Sequence, residues 1–288
     1  MTIEARQPVE AAGAERRLLP ILVLGATGVL LIFLAFPFAG LLSRVTPGEL
    51  IRHLREPVVL AALRLSLLTT LSATAIVVLL GTPAAYVLAT REFPGKRLVE
   101  VLIDLPMVLP PTVAGFALLM AFGRAGLAGR WLHAFGLSLP FTTLGVIVAQ
   151  VFMAAPFFVG PARAGLAGID RRYLDAADTL RAGEGFRFFH VMLPLAAPSL
   201  LAGAAMSAAR ALGEFGATIT FAGNLPGTTQ TMPLAVYIAL QSDLDTAVVL
   251  SILLLVMSFA LLLGLRSAPA GWIGNRSHAR TADPSPAR

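Results

Sequence analysis

Two charged side chains stand inside an otherwise apolar stretch: Arg210 and Glu214, in the run from Leu193 to Ala222. On a helix, a spacing of four residues puts them one turn apart on the same face. Two chemistries are open to them. An arginine in an apolar setting attracts an oxyanion through its charge and its planar fork of donors. A carboxylate one turn away neutralises that charge and makes a structural ion pair that fixes helix packing. A paired arginine has less field to offer an anion, so the residues alone favour the structural pair.

Catalysis has little to work with elsewhere. There is no HExxH, no nucleophile elbow and no glycine-rich phosphate loop. Gly95-Lys96-Arg97 lacks both the upstream glycine and the following Ser or Thr that a phosphate loop requires. His53, His133, His190 and His278 fall in four separate segments, and the chain has no cysteine. Neither a shared histidine site, a thiolate metal site nor a disulfide is expected. The chain reads as a non-enzyme that binds no metal or cofactor and hydrolyses no nucleotide itself.

The elements that hold these residues are hydrophobic helices. The 288 residues are 57% hydrophobic and 13% charged, with a mean hydropathy of +0.80. A soluble domain carries about 25% charged residues, so too few remain here to cover a water-facing surface. A helix needs roughly 20 apolar residues to cross a bilayer. Six stretches qualify: 18–43, 65–90, 105–123, 139–162, 193–222 and 247–265. The first is too long for a signal-peptide core and is read as uncleaved.

The net charge of +6 is read as topology rather than nucleic-acid binding. With the N-terminus in the cytoplasm, Arg44, Arg52, Arg55, Arg64, Arg124 and Arg130 fall outside and Arg210 falls within a span. Every other Lys and Arg then falls inside, as the positive-inside rule requires. Both termini are expected in the cytoplasm of a multi-pass inner-membrane protein. Residues 1–17 form the N-terminal tail, 163–192 a long cytoplasmic loop, 223–246 an external loop and 267–288 a disordered tail.

Three local features refine this picture. Pro106, Pro110 and Pro111 remove backbone donors near the start of the third span. Broken helix in lipid is tolerated only against protein or a water-filled cavity, so that end faces either the bundle or a pathway. Gly203, Ser207 and Ala211 form a small-residue stripe that lets helices approach closely, making the fifth span an inner helix, with a subunit interface as one possible setting. In the long loop, Tyr173, Ala176, Ala177 and Leu180 fall at helical spacing. Such an amphipathic helix either docks into a partner's groove or rests on lipid headgroups, and spacing alone does not choose.

The loop also carries a resemblance. Asp175-Ala176-Ala177, followed at the right distance by Val191-Met192-Leu193-Pro194, resembles the EAA loop of ABC-importer permeases: E-A-A, three residues, G, nine residues, I-x-L-P. Asp stands for Glu, and the glycine position holds Arg181, so Gly183 is expected to supply the turn. The resemblance covers 63–263. It implies an all-α, type I importer permease fold of about six transmembrane helices. It further implies a coupling loop (Tyr173, Asp175, Ala176, Ala177, Leu180, Gly183, Leu193, Pro194) seated in a cleft of a cytoplasmic ATPase. Two more motifs, Asp104 to Gly115 and Arg210 to Pro233, resemble the molybdate permeases of the oxyanion-importer group.

That likeness implies a homodimer, two ATPase subunits that use the ATP and a periplasmic molybdate-binding protein. By analogy it implies a pathway near Pro110, Pro111, Arg210, Glu214, Thr218 and Thr220. The alternatives are a tungstate or sulfate/thiosulfate permease of the same group, or an ion-coupled secondary transporter. The last has only Glu214 and Asp104 to couple with, and no inverted repeat is visible.

Overall fold

The computed structural model describes residues 9–54 and 56–267, and these contain no strand. The helices are α1 (Val9–Leu42), α2 (Pro47–Leu54), α3 (Pro57–Thr90), α4 (Lys96–Val108), α5 (Pro111–Phe122), α6 (Gly129–Ala134) and α7 (Thr143–Ala167). Then come α8 (Arg171–Thr179), α9 (Glu184–Arg187), a π-helical turn (Phe188–Met192), α10 (Leu193–Leu212), α11 (Gly216–Ala222), α12 (Met232–Ser242) and α13 (Leu244–Ser267). Contacts divide the chain at Ile51. The first unit is essentially α1, which starts at Val9, inside the stretch expected to be an unstructured tail. Its apolar part, Leu22–Leu42, buries nothing within the chain. The expected disordered tail lies outside the described residues from 268 onward.

Five helical stretches are long and apolar enough to cross a membrane, and α4 with α5 makes a sixth if counted as one span. The expected single span 105–123 is therefore corrected. It begins at Lys96 and breaks after Val108, with a bend of 119°. Leu109 and Pro110 are extended because the Pro110-Pro111 pair lacks both N–H donors and excludes helix from the residue before each ring. Pro106, by contrast, is accommodated and buried inside α4. The fifth span also breaks, between α10 and α11. The expected external loop 223–246 is corrected too: it contains α12, whose Met232, Leu234, Ala235 and Ala239 are buried. The fourth span runs to Ala167, so the long loop starts at Gly168 rather than at 163.

The core lies where α3, α7 and α10 meet. Val77, Ala85 and Leu88 pack with Phe158, Ala162 and Leu166 of α7 and with Ala196 and Ala204 of α10. Close approach depends on missing side chains. A Cβ on Gly81 would lie 2.7 Å from the Phe158 ring, and one on Gly203 would lie 3.0 Å from the Phe158 carbonyl oxygen. The stripe Gly203, Ser207, Ala211 is wholly buried, and its Gly203 end faces α7 of this same chain.

Candidate functional site

Glu214 follows the end of α10, and its side chain is completely buried. One carboxylate oxygen lies 2.5 Å from Arg210 Nη1, as the spacing predicts. The other accepts a hydrogen bond from the backbone N–H of Ala217 at 2.7 Å. Glu214 therefore does two things: it neutralises Arg210 and it caps the first turn of α11, where helical N–H groups lack partners. Sequence reasoning found the pair and missed the cap. The glycines on either side, Gly213 and Gly216, were the available signal that the helix stops and restarts here.

A break in a membrane helix exposes backbone groups that lipid cannot satisfy, and buried side chains meet that need at three places. Besides Glu214, Gln150 of α7 donates from Nε2 to the Ala211 carbonyl at 3.0 Å, at the end of α10. Ser66 of α3 accepts from the N–H of Met232 at 2.7 Å, at the start of α12. Both side chains are buried. Neither was singled out from the sequence, where a lone Gln or Ser in an apolar run carries no periodic signal.

The two breaks touch. A Cβ on Gly216 would lie 2.7 Å from Pro111 Cβ, and one on Gly115 would lie 2.6 Å from the Ala217 carbonyl oxygen and 2.9 Å from Thr220 Cβ. The start of α5 is thus stacked on the start of α11. Of the expected pathway residues, Pro111 and Thr220 meet at this contact, with Glu214 and Arg210 at its α10 side. Pro110 is exposed. Thr220 donates to the Gly216 carbonyl at 2.8 Å. Thr218 is fully buried inside the chain and reaches no surface of it.

At the α8 end of the bundle, the loop forms the expected short helix. Asp170 caps it, accepting from the Arg172 N–H at 3.0 Å and from Arg172 Nε at 2.8 Å. Hydrogen bonding from the Arg172 side chain, then from its N–H, holds the Asp170 carboxyl below its ordinary range. Tyr173, Asp175, Ala176 and Leu180 face outward, whereas Ala177 is buried and Leu174 packs on the core. The two alanines of the motif therefore point to different surroundings.

The helix closes with both bonds of a Schellman motif. Ala182 N–H donates to the Ala177 carbonyl at 3.0 Å, and Arg181 N–H to the Asp178 carbonyl at 2.9 Å. The left-handed residue is Arg181 itself, at φ 53°. Gly183, expected to make this turn, has φ −64° and instead precedes α9. The structure thus corrects that expectation: the left-handed turn falls on Arg181, the position where the importer pattern has glycine, and not on Gly183.

Charged contacts tie the loop down: Arg91 Nη2 lies 2.7 Å from Glu184, and Arg187 pairs with Asp178. Nearby, Arg163 of α7 lies 2.5 Å from Glu100 of α4. Phe188 in the π-helical turn meets Tyr86 of α3 edge-on at 4.8 Å. The turn runs straight into α10, where Leu193 is the first residue and Pro194 sits in the first turn, which tolerates a missing N–H.

Helices of this kind, two broken spans and a helical loop at one end describe a transporter subunit. Residues 78–266 match the family described as binding-protein-dependent transport system inner membrane component, and the chain belongs to that family. It is 43% identical over 239 residues to the molybdenum transport system permease protein ModB of Mycobacterium tuberculosis, covering 82% of this chain and 89% of that one. It is 34% identical over 264 residues to the sulfate transport system permease protein CysT of Escherichia coli, covering 89% and 95%. Among solved structures it resembles a bacterial ABC transporter that imports the acidic polysaccharide alginate. The TM-score there is 0.71 at 14% identity, covering 91% of this chain and 98% of that one. The fold is that of type I ABC-importer permeases, in a multi-pass membrane protein.

Proposed function

We propose that this chain is the membrane-spanning subunit of an ATP-driven importer that carries molybdate across the inner membrane, with both termini in the cytoplasm. The observation that carries the reading is 43% identity to molybdenum permeases along 82% of the chain, against 34% to a sulfate permease over a similar length. The working unit is two copies of this chain, a pair of cytoplasmic ATPase subunits and a periplasmic molybdate-binding protein. A solved relative of the same fold is a complex with a substrate-bound periplasmic protein.

The outward face of α8, with Tyr173, Ala176 and Leu180, seats in the ATPase. Closure of the ATPases on ATP displaces α8. The Asp178–Arg187 and Arg91–Glu184 pairs and the unbroken run from α9 through the π-helical turn transmit that displacement to α10. Movement of α10 acts on the break at Gly213, and through Gly216 on the break at Pro111. The stacked breaks are the element that opens and closes. Arg210 reaches the anion only as far as Glu214 leaves it charge to offer.

Expression in a strain lacking its own molybdate permease, together with the matching ATPase and binding protein, tests the reading. Restored uptake of molybdate that excess sulfate does not suppress is the expected result. Uptake of sulfate in preference to molybdate moves the chain to the sulfate group.

A further inference from the structure

The connection between α5 and α7 is more ordered than a link needs to be. Glycines recur at every third position, Gly123, Gly126 and Gly129. A Cβ on Gly126 would overlap the Met120 carbonyl oxygen, and one on Gly129 the Gly123 carbonyl oxygen. Ala128 N–H donates back to Ala121 at 2.8 Å, and Gly126 N–H to Gly123 at 2.7 Å. The chain is thereby wound tightly onto the last turn of α5, and α6 is held at the end of that span.

From this mount, Leu127, Trp131 and Phe135 project at four-residue intervals and are 88%, 73% and 80% exposed. A hollow of about 530 Å³ opens beside Leu127 and Trp131, with Arg130 on its wall. Arg124 and Arg130 are both exposed, and no Asp or Glu occurs anywhere between Asp104 and Asp170. A rigid apolar stripe of this size is out of place in water. Large apolar side chains, an indole and unopposed arginines at the end of a membrane helix match one environment. The boundary between headgroups and acyl chains offers hydrocarbon, a place for an amphipathic ring and phosphate oxygens for guanidinium forks.

We propose that α6 and the residues flanking it form an interfacial anchor, in which Leu127, Trp131 and Phe135 insert at the headgroup boundary of the bilayer while Arg124 and Arg130 bind lipid phosphates. The proposal rests on α5 ending at a membrane surface, not on which anion is transported, so the two readings fail separately. The chain has two tryptophans, and Trp272 lies beyond the described residues, so Trp272→Phe leaves Trp131 as the sole indole reporter.

The purified full-length permease carrying that change is reconstituted into phosphatidylcholine vesicles, with and without phosphatidylglycerol. Trp131 emission is expected to be blue-shifted, more than half quenched by brominated phospholipid and little quenched by aqueous iodide. Phosphatidylglycerol is expected to increase the brominated-lipid quenching, and Arg124→Gln with Arg130→Gln to abolish that increase. Strong iodide quenching with no effect of bromine overturns the proposal. So does shielding from both quenchers, which would mark a contact between copies, and so does shielding that appears only when the binding protein is added, which would mark a protein dock. A phosphatidylglycerol effect that survives loss of both arginines overturns the phosphate contact.

Discussion

Glu214 carries two jobs on two oxygens, and this changes what its removal should do. Removing one member of a buried ion pair strands the other and costs about 3–5 kcal/mol, whereas replacing both with apolar residues is far milder. Arg210→Leu or Glu214→Leu alone should therefore impair assembly more than the two changes together. The double variant should still fall short of the parent by about 1 kcal/mol, because the cap on Ala217 is lost as well. Thermal unfolding of the purified single and double variants measures both steps. A double variant no more stable than the worse single one would contradict the pairing. One that assembles fully but does not transport would give Arg210 a direct part in moving the anion.

Arg181 is a second residue whose effect follows from geometry. A non-glycine residue in the left-handed region is strained by roughly 1–2 kcal/mol, so Arg181→Gly should stabilise the loop by about 1 kcal/mol, read as a rise in thermal midpoint. A fall would mean that the arginine side chain itself contributes more than the strain costs. Asp170 adds a pH dependence. Its folded-state carboxyl titrates below the ordinary range, so its cap is intact at neutral pH and is lost as pH falls through the folded-state value. Asp170→Asn, which caps without titrating, should remove that acid sensitivity from the protease resistance of the loop.

At the scale of elements, α8 and the two breaks make separable predictions. The outward face of α8 holds Tyr173, Ala176 and Leu180, while Ala177 is buried in the chain's own packing. Ala176→Trp should leave a folded permease that no longer retains its ATPase on purification. Ala177→Trp should lower the stability of the permease itself, since overpacking costs about 1–3 kcal/mol. If Ala176→Trp keeps its ATPase, the docking face lies elsewhere. The sequence showed that an amphipathic helix exists there, because four positions at helical spacing say so. It did not show which alanine faces which way, because adjacent small residues carry no directional signal and the inner face is set by α3, α7 and the π-helical turn.

The same limit explains the breaks. Prolines marked the third span as irregular, and the lost N–H groups account for that directly. The break at Gly213 was less plain, because the run from Leu193 to Ala222 is long enough to read as one span and only Gly213 and Gly216 mark the interruption. It is sustained by Gln150 and Glu214, and Gln150 is sixty-one residues away from its acceptor. Gly115→Leu should push α5 off α11 and stop transport, since even a Cβ there would meet the Ala217 carbonyl at 2.6 Å.

For the whole molecule, hydropathy and charge placement yielded the helical class and the number of spans, since lipid permits few alternatives. Length was less legible. The boundaries at Val9, Lys96 and Ala167 fall beyond the apolar runs because helices continue into charged flanks such as Lys96-Arg97, and no hydropathy window reports that. That α12 forms a half-buried helix rather than a loop depends on Ser66 and on packing against α3, which is remote in sequence, as well as on the adjacent α13. What the chain transports depends on partners as much as on itself, so the decisive measurement uses the complete importer. With permease, ATPase and binding protein reconstituted together, ATP hydrolysis should be stimulated more by the molybdate-loaded binding protein than by the sulfate-loaded one. Equal or greater stimulation with sulfate would contradict the molybdate assignment, and no stimulation by either would contradict coupling of this chain to a binding protein.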